Sequence, residues 1–129
     1  RSAALDRRRR GRHAAALQSP GGEALILEIR TYTAAVGKTQ QWLDYYGKNG
    51  LPIQQEMLGK LIFFGTSEIG TLNQITHIWA YNSLAEREQK RGAMAKDPRW
   101  QDYLKNQPPG ALLVQETKIL NPVAFSPLK

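Results

Sequence analysis

Leu61-Ile62-Phe63-Phe64-Gly65-Thr66-Ser67, a turn at Gly70-Thr71-Leu72-Asn73, then Gln74-Ile75-Thr76-His77-Ile78-Trp79-Ala80-Tyr81 and Asn82-Ser83-Leu84-Ala85-Glu86 is the stretch on which the fold turns. Both apolar runs are rich in β-branched and aromatic residues, which suit a pleated strand. The short connection makes them a hairpin. In the second run Ile75, His77, Trp79 and Tyr81 alternate onto one face. Ser83-Leu84-Ala85-Glu86 then fits a capping box, in which the serine oxygen takes the amide three residues on while the glutamate reaches back. A helix therefore starts here and is expected to reach about Lys96. Asp97-Pro98 starts a second piece, with Asp97 as cap and Pro98 at the first helical position. Trp100, Tyr103 and Leu104 line that piece, and Pro108-Pro109-Gly110 ends it.

Upstream of the hairpin, Leu25 to Thr33 reads as a strand. Ile26, Glu28, Arg30 and Tyr32 share one side; Leu27, Ile29 and Thr31 share the other, which is apolar or small and is expected to meet the core. Val36 to about Asn49 reads as a helix, with Trp42, Tyr46, Ile53 and Met57 in one arc if it continues and Leu43 widening that arc. Gly50 and Pro52 kink or restart it, and Gly59 stops it. Downstream, Ala111 to Leu120 is the last strand, with Leu112, Val114 and Glu116 on one face. Asn121-Pro122 closes the domain and leaves 123–129 as a C-terminal tail. The order is βαββαβ. Right-handed crossovers turn it into an α+β, ferredoxin-like sandwich: a four-stranded antiparallel sheet with its helices on one face.

Composition narrows the classes. The chain has 129 residues, enough for one domain with a real core. It has no cysteine, which excludes disulfides, zinc-thiolate sites and a cysteine nucleophile. No apolar run is long enough to span a bilayer. Of the net charge of +7, residues 1–24 carry +4, with six Arg against Asp6 and Glu23. That stretch has no capped periodicity. It is expected to be a disordered arginine-rich tail or a non-native extension, whose deletion leaves stability unchanged. The rest is only mildly basic, with no stripe that would grip nucleic acid specifically. The cytoplasm is the expected location. The mitochondrion is the alternative if the arginine-rich N-terminus is native, because such a stretch fits a transit peptide.

Two helices cover one face of such a sheet. The other is expected to carry Ile26, Tyr32, Ile75, Trp79 and Tyr81, together with Glu28, Arg30 and His77. That much aromatic surface calls for a cover, and a two-fold partner is the simplest one. A homodimer is expected, and Trp79→Glu is expected to weaken it. The same face supplies the candidate ligand-binding residues Glu28, Arg30, Tyr32, His77, Trp79 and Tyr81.

Several segments carry a family resemblance. Glu28-Ile29-Arg30-Thr31-Tyr32-Thr33, Glu68-Ile69-Gly70-Thr71-Leu72-Asn73-Gln74 and His77-Ile78-Trp79-Ala80-Tyr81 resemble the NIPSNAP family. So do Ser83-Leu84-Ala85-Glu86-Arg87, Asp97-Pro98-Arg99-Trp100 and Gln115-Glu116-Thr117. The match runs in order from about Leu25 to Pro122 and does not include the arginine-rich stretch. The resemblance implies a dimeric α/β barrel. It implies the bacterial, single-domain type, since animal mitochondrial members are tandem. The family's biochemical role is poorly defined. Neighbouring families of the fold include cofactor-free monooxygenases and haem-degrading enzymes, a link of fold alone.

The chemistry-bearing residues are few. His13 and His77 are the only histidines, a poor metal ligand set, and no nucleotide-binding or nucleophile-elbow pattern is present. Neither metal nor cofactor is expected, and no catalytic residue is assigned. His77 titrates near neutrality when unperturbed. It is read as a buried residue bonded to Glu28 or a backbone carbonyl at the dimer seam; ligand contact and proton transfer are the alternatives. Glu28 and Arg30 are read as a cross-subunit ion pair, or as groups that orient a bound anion or carbonyl. Arg87 and Arg91, at i and i+4, form a solvated or interface face, or a hold for a phosphate or carboxylate. Trp42, Trp100 and Tyr103 are read as core. The functional expectation is a non-enzymatic binding or scaffold domain. The alternative is a small-molecule enzyme of the cofactor-free monooxygenase kind, using a pocket between helices and sheet.

Overall fold

Strand β1 (Ile26–Ala34) leads through a turn at Val36-Gly37 to helix α1 (Thr39–Asn49) and helix α2 (Leu51–Met57). The hairpin strands β2 (Lys60–Thr66) and β3 (Gln74–Tyr81) follow, then α3 (Leu84–Lys96), α4 (Pro98–Lys105) and β4 (Leu112–Leu120). These elements belong to a computed structural model that describes residues 25–129; the expectations for residues 1–24 lie outside the described residues. The four strands form one antiparallel sheet in the order β2-β3-β1-β4, so the two central strands are those that bear the six candidate residues.

Local chemistry explains most boundaries. Gly37, at φ +79°, turns the chain after β1, so the first helix starts at Thr39 rather than Val36, and Val36 stays 88 % exposed. Gly50 separates α1 from α2, and Pro52 sits in the first turn of α2, where its missing N–H costs nothing. Ser83 caps α3 by accepting from the Glu86 amide, while the Glu86 carboxylate reaches back to the Asn82 amide. Asp97 caps α4 through the Arg99 amide. Gly59 is not the left-handed helix stop expected of it. It lies where β3 passes so closely that a Cβ would sit 2.1 Å from the Ala80 carbonyl oxygen.

The core shows which face of the sheet is covered. Ile26, Tyr32, Ala34, Ile75, Trp79 and Tyr81 cluster with Trp42, Tyr46, Ile53, Met94 and Tyr103 from the helices. The helix side therefore takes the row Ile26, Glu28, Arg30, Tyr32 and the row Ile75, His77, Trp79, Tyr81. This reverses the face assignment made from the sequence. Leu27, Ile29 and Thr31 lie on the uncovered side, where they pair laterally with Ala80, Ile78 and Thr76. The reversal has a physical cause. Alternation points the wrong way here, because the face with the two charges is the buried one: Glu28 and Arg30 are paired inside rather than hydrated, beside the apolar Ile26 and the aromatic Tyr32. Trp79→Glu is accordingly a core lesion, not an interface lesion. Two irregularities also break strict alternation. Ile62 is an extra residue between Leu61, opposite Trp79, and Phe63, opposite Ile78. Leu113 is extra between Leu112, opposite Ala34, and Val114, opposite Thr33, so Leu112 and Val114 fall on opposite faces. Leu104, expected to line α4, is 48 % exposed.

Candidate ligand-binding site

A carboxylate with no contact with water needs partners, and Glu28, 0 % exposed, has four hydrogen bonds. Arg87 donates through Nε (3.1 Å) and Nη2 (2.8 Å), Arg30 through Nη1 (2.9 Å) and Thr117 through Oγ1 (2.7 Å). Burial pushes the Glu28 carboxyl up. The hydrogen bonds from Arg87 and Thr117 and the charges of Arg30 and Arg91 outweigh burial and hold it at about 2. The ion pair with Arg30 thus lies within one chain rather than across a subunit boundary. Glu28 in turn fixes Arg30, whose Nε donates to the Tyr32 hydroxyl (2.8 Å) and whose guanidinium lies 5.4 Å from the Tyr32 ring centroid.

Arg30 and Tyr32 border a cavity of about 220 Å³ between sheet and helices. Helix α1 contributes Trp42 and Tyr46, whose rings stack at 4.8 Å. Helix α4 contributes Trp100 and Tyr103, stacked at 4.7 Å, and the exposed Leu104. Arg91 enters from α3, and three amides complete the lining: Gln54 from α2, Gln107 from the following loop and Gln115 from β4. The Tyr46 hydroxyl donates to Gln54 Oε1, and the Trp42 indole N–H points at Gln107 Oε1 (3.4 Å). Burial pushes the Tyr46 and Tyr103 hydroxyls well above the ordinary tyrosine range. Burial also acts to lower Arg30, but Tyr32 and Glu28 outweigh it and raise it. These groups therefore hold fixed protonation states near neutral pH.

His77 lies one layer behind the cavity. It is 1 % exposed, stacks on Phe64 (4.5 Å) and meets the Tyr32 ring edge-on (4.9 Å). Its Nδ1 accepts the Trp79 indole N–H at 2.7 Å, so the expected bond to Glu28 or a backbone carbonyl is not made. That acceptor role places the ring proton on Nε2, which has no partner among the described residues. Burial drives the imidazole down, Arg30 and Arg91 add to this, and Glu28 opposes it; the result is about 3. His77 is neutral at physiological pH.

Of the six residues singled out from the sequence, the structure brings two, Arg30 and Tyr32, to the cavity. Glu28 stands behind Arg30 as its anchor, while His77, Trp79 and Tyr81 belong to the packed core. The arginine pair Arg87 and Arg91 divides: Arg87 goes to Glu28 and Arg91 to the cavity. Trp42, Trp100 and Tyr103, read as core, both pack and line. Gln54, Gln107 and Gln115 were missed, because an isolated glutamine carries no periodic or motif signal. A second hollow, of about 320 Å³, lies along the β1–β4 edge between Ile29, Thr31, Glu116, Lys118 and Leu120. It is larger, but it faces the uncovered side of the sheet, has no aromatic side chain in its lining, and sets its one cation, Lys118, beside Glu116. Among the described residues no three His, Asp or Glu gather as a metal site, and no helix is long and apolar enough to cross a membrane.

Similar proteins place the chain. The NIPSNAP family model matches residues 27–127. A NIPSNAP family protein from Agrobacterium tumefaciens superposes with a TM-score of 0.78 at 36 % identity, covering 86 % of this chain and 96 % of that one. A NIPSNAP domain protein from Burkholderia xenovorans gives 0.73 at 35 % identity, over 78 % of this chain and 97 % of that one. Protein NipSnap homolog 2 of Danio rerio is 33 % identical over 109 residues, 81 % of this chain and 35 % of that protein. The chain spans about a third of the length of the curated relatives it matches. It belongs to the NIPSNAP family.

Proposed function

We propose that the protein is a homodimeric, non-enzymatic binding domain that holds a small organic molecule in the cavity between sheet and helices. The observation that carries this reading is the cavity itself, in which aromatic, amide and guanidinium groups from all four helices, two strands and a loop converge. An acid–base enzyme needs a group that exchanges protons near neutrality. Here Tyr46, Tyr103 and Arg30 are shifted away from neutrality, and the one histidine in the described fold is buried, neutral and behind the wall. Binding therefore fits the geometry better than proton-transfer chemistry.

The uncovered face supports the dimer. Leu27, Ile29 and Ile78 form its centre, with Phe63 52 %, Val114 49 % and Leu120 40 % exposed around them. Thr31, Thr33, Gln74, Thr76 and Ala80 fill the remaining central positions without adding charge, and Lys60, Glu116 and Lys118 lie on the flanking strands. In this reading the ferredoxin-like unit lays its open sheet on that of a second copy, giving the dimeric α/β barrel that the family resemblance implies.

Fragment screening by thermal shift, with hits mapped by the indole N–H signals of the three tryptophans, tests the binding reading. Fragments that stabilise the protein are expected to move Trp42 and Trp100 and leave the buried Trp79 in place. Stabilising fragments that move none of the cavity residues would sink the reading.

A further inference from the structure

Resting on the binding reading above, the charge distribution narrows the occupant. Three guanidiniums, Arg30, Arg87 and Arg91, gather around a single carboxylate, Glu28. Arg87 spends its fork on Glu28. Arg30 uses one nitrogen on Glu28 and one on Tyr32, and still borders the cavity. Arg91 acts on Glu28 and His77 through its charge and lies beside the Tyr81 hydroxyl, has no carboxylate partner among the described residues, and also borders the cavity. Three guanidiniums against one carboxylate leave the cluster a net charge of +2 beside a partly desolvated space, where an anion is held far more strongly than in water. The rest of the lining is flat: the Trp42–Tyr46 and Trp100–Tyr103 stacks present π surface, and the glutamine amides supply neutral donors.

We propose that the cavity takes a small planar organic acid, its carboxylate held by Arg91 and Arg30 and its unsaturated or aromatic body packed among the tryptophan and tyrosine rings. The planar fork of arginine matches a carboxylate and binds it in two-point fashion. The volume, about 220 Å³, is below the range of about 300–1,000 Å³ typical of drug-sized ligands, so nucleotides and larger cofactors are too big. Glu28 is a positioning residue in this arrangement: it orients Arg30 and touches no ligand.

Calorimetric titration with benzoate, with its neutral counterpart benzyl alcohol and with inorganic phosphate tests the class. Benzoate is expected to bind about tenfold or more tighter than benzyl alcohol, and phosphate not to displace it at equal concentration. Arg91→Gln is expected to lower benzoate affinity by more than benzyl alcohol affinity, so that the benzoate preference shrinks. Arg91→Lys, which keeps charge and loses the fork, is expected to fall between. Equal affinity for benzoate and benzyl alcohol at the Trp42 and Trp100 signals would overturn the acid class and leave the cavity as the site. Displacement of benzoate by phosphate, or an Arg91→Gln variant that binds benzoate undiminished, would also overturn the class. Failure of charged and neutral compounds alike to reach those signals would overturn both readings.

Discussion

His77 shows how a residue that looks chemical becomes structural. Its neighbours are Phe64, Tyr32 and the Trp79 N–H, and its charge is suppressed by burial and by Arg30. His77→Ala removes the acceptor of the buried indole N–H and leaves a void; each effect costs about 1–3 kcal/mol. Urea denaturation should show the loss, and His77→Asn or His77→Gln should restore part of it by returning an acceptor. An alanine variant as stable as the parent would show that the contacts of the ring carry no weight. The pH dependence has a definite sign. The folded-state pKa of about 3 lies below the ordinary 6.5, so the unfolded chain takes up a proton that the native chain refuses. The stability from His77 is complete above pH 6.5 and falls as pH drops toward 3. Glu28 adds its own loss only below about 4.5. Between pH 6.5 and 4.5 the His77→Asn variant should therefore show a flatter stability curve than the parent, and parallel curves would contradict the assignment.

At the scale of elements, the legible features were those with local causes. The Ser83 and Asp97 caps, the break at Gly50 and Pro52 and the hairpin each follow from a few adjacent residues, and each stands where expected. What was not legible depended on distant partners. The direction of β1 hinges on Arg87 and Thr117, 59 and 89 residues from Glu28, which make a buried carboxylate tolerable. The extra residues Ile62 and Leu113 shift side-chain parity without any glycine or proline to announce them. A pocket between helices and sheet was named as the alternative, but its lining escaped for the same reason: Arg91 and the three glutamines meet Arg30 only once helices and sheet are assembled. Gly59 offers a test at this scale. A methyl there would strike the Ala80 carbonyl and the Tyr81 ring, so α2 and β3 must part. Gly59→Ala should cost about 1–3 kcal/mol, the usual penalty for overpacking. Denaturation midpoints would measure it, and an unchanged midpoint would mean that this junction yields freely.

For the whole molecule, the two faces of the sheet have separate roles in this account. The covered face closes over the cavity and its buried ion cluster, and the open face is left to a second copy. Covering it should bury an interface near the common size of about 1,600 Å² in total. His77, Ile78 and Trp79 are consecutive, yet Ile78 alone of the three points to the open side. A charge at position 78 therefore strikes the proposed interface and spares the core. Sedimentation velocity on the parent and on Ile78→Glu, at low micromolar concentration, is the most direct measurement. The account predicts a dimer for the parent and a folded monomer for Ile78→Glu. A parent that sediments as a monomer, or an Ile78→Glu variant that remains a dimer, would contradict it.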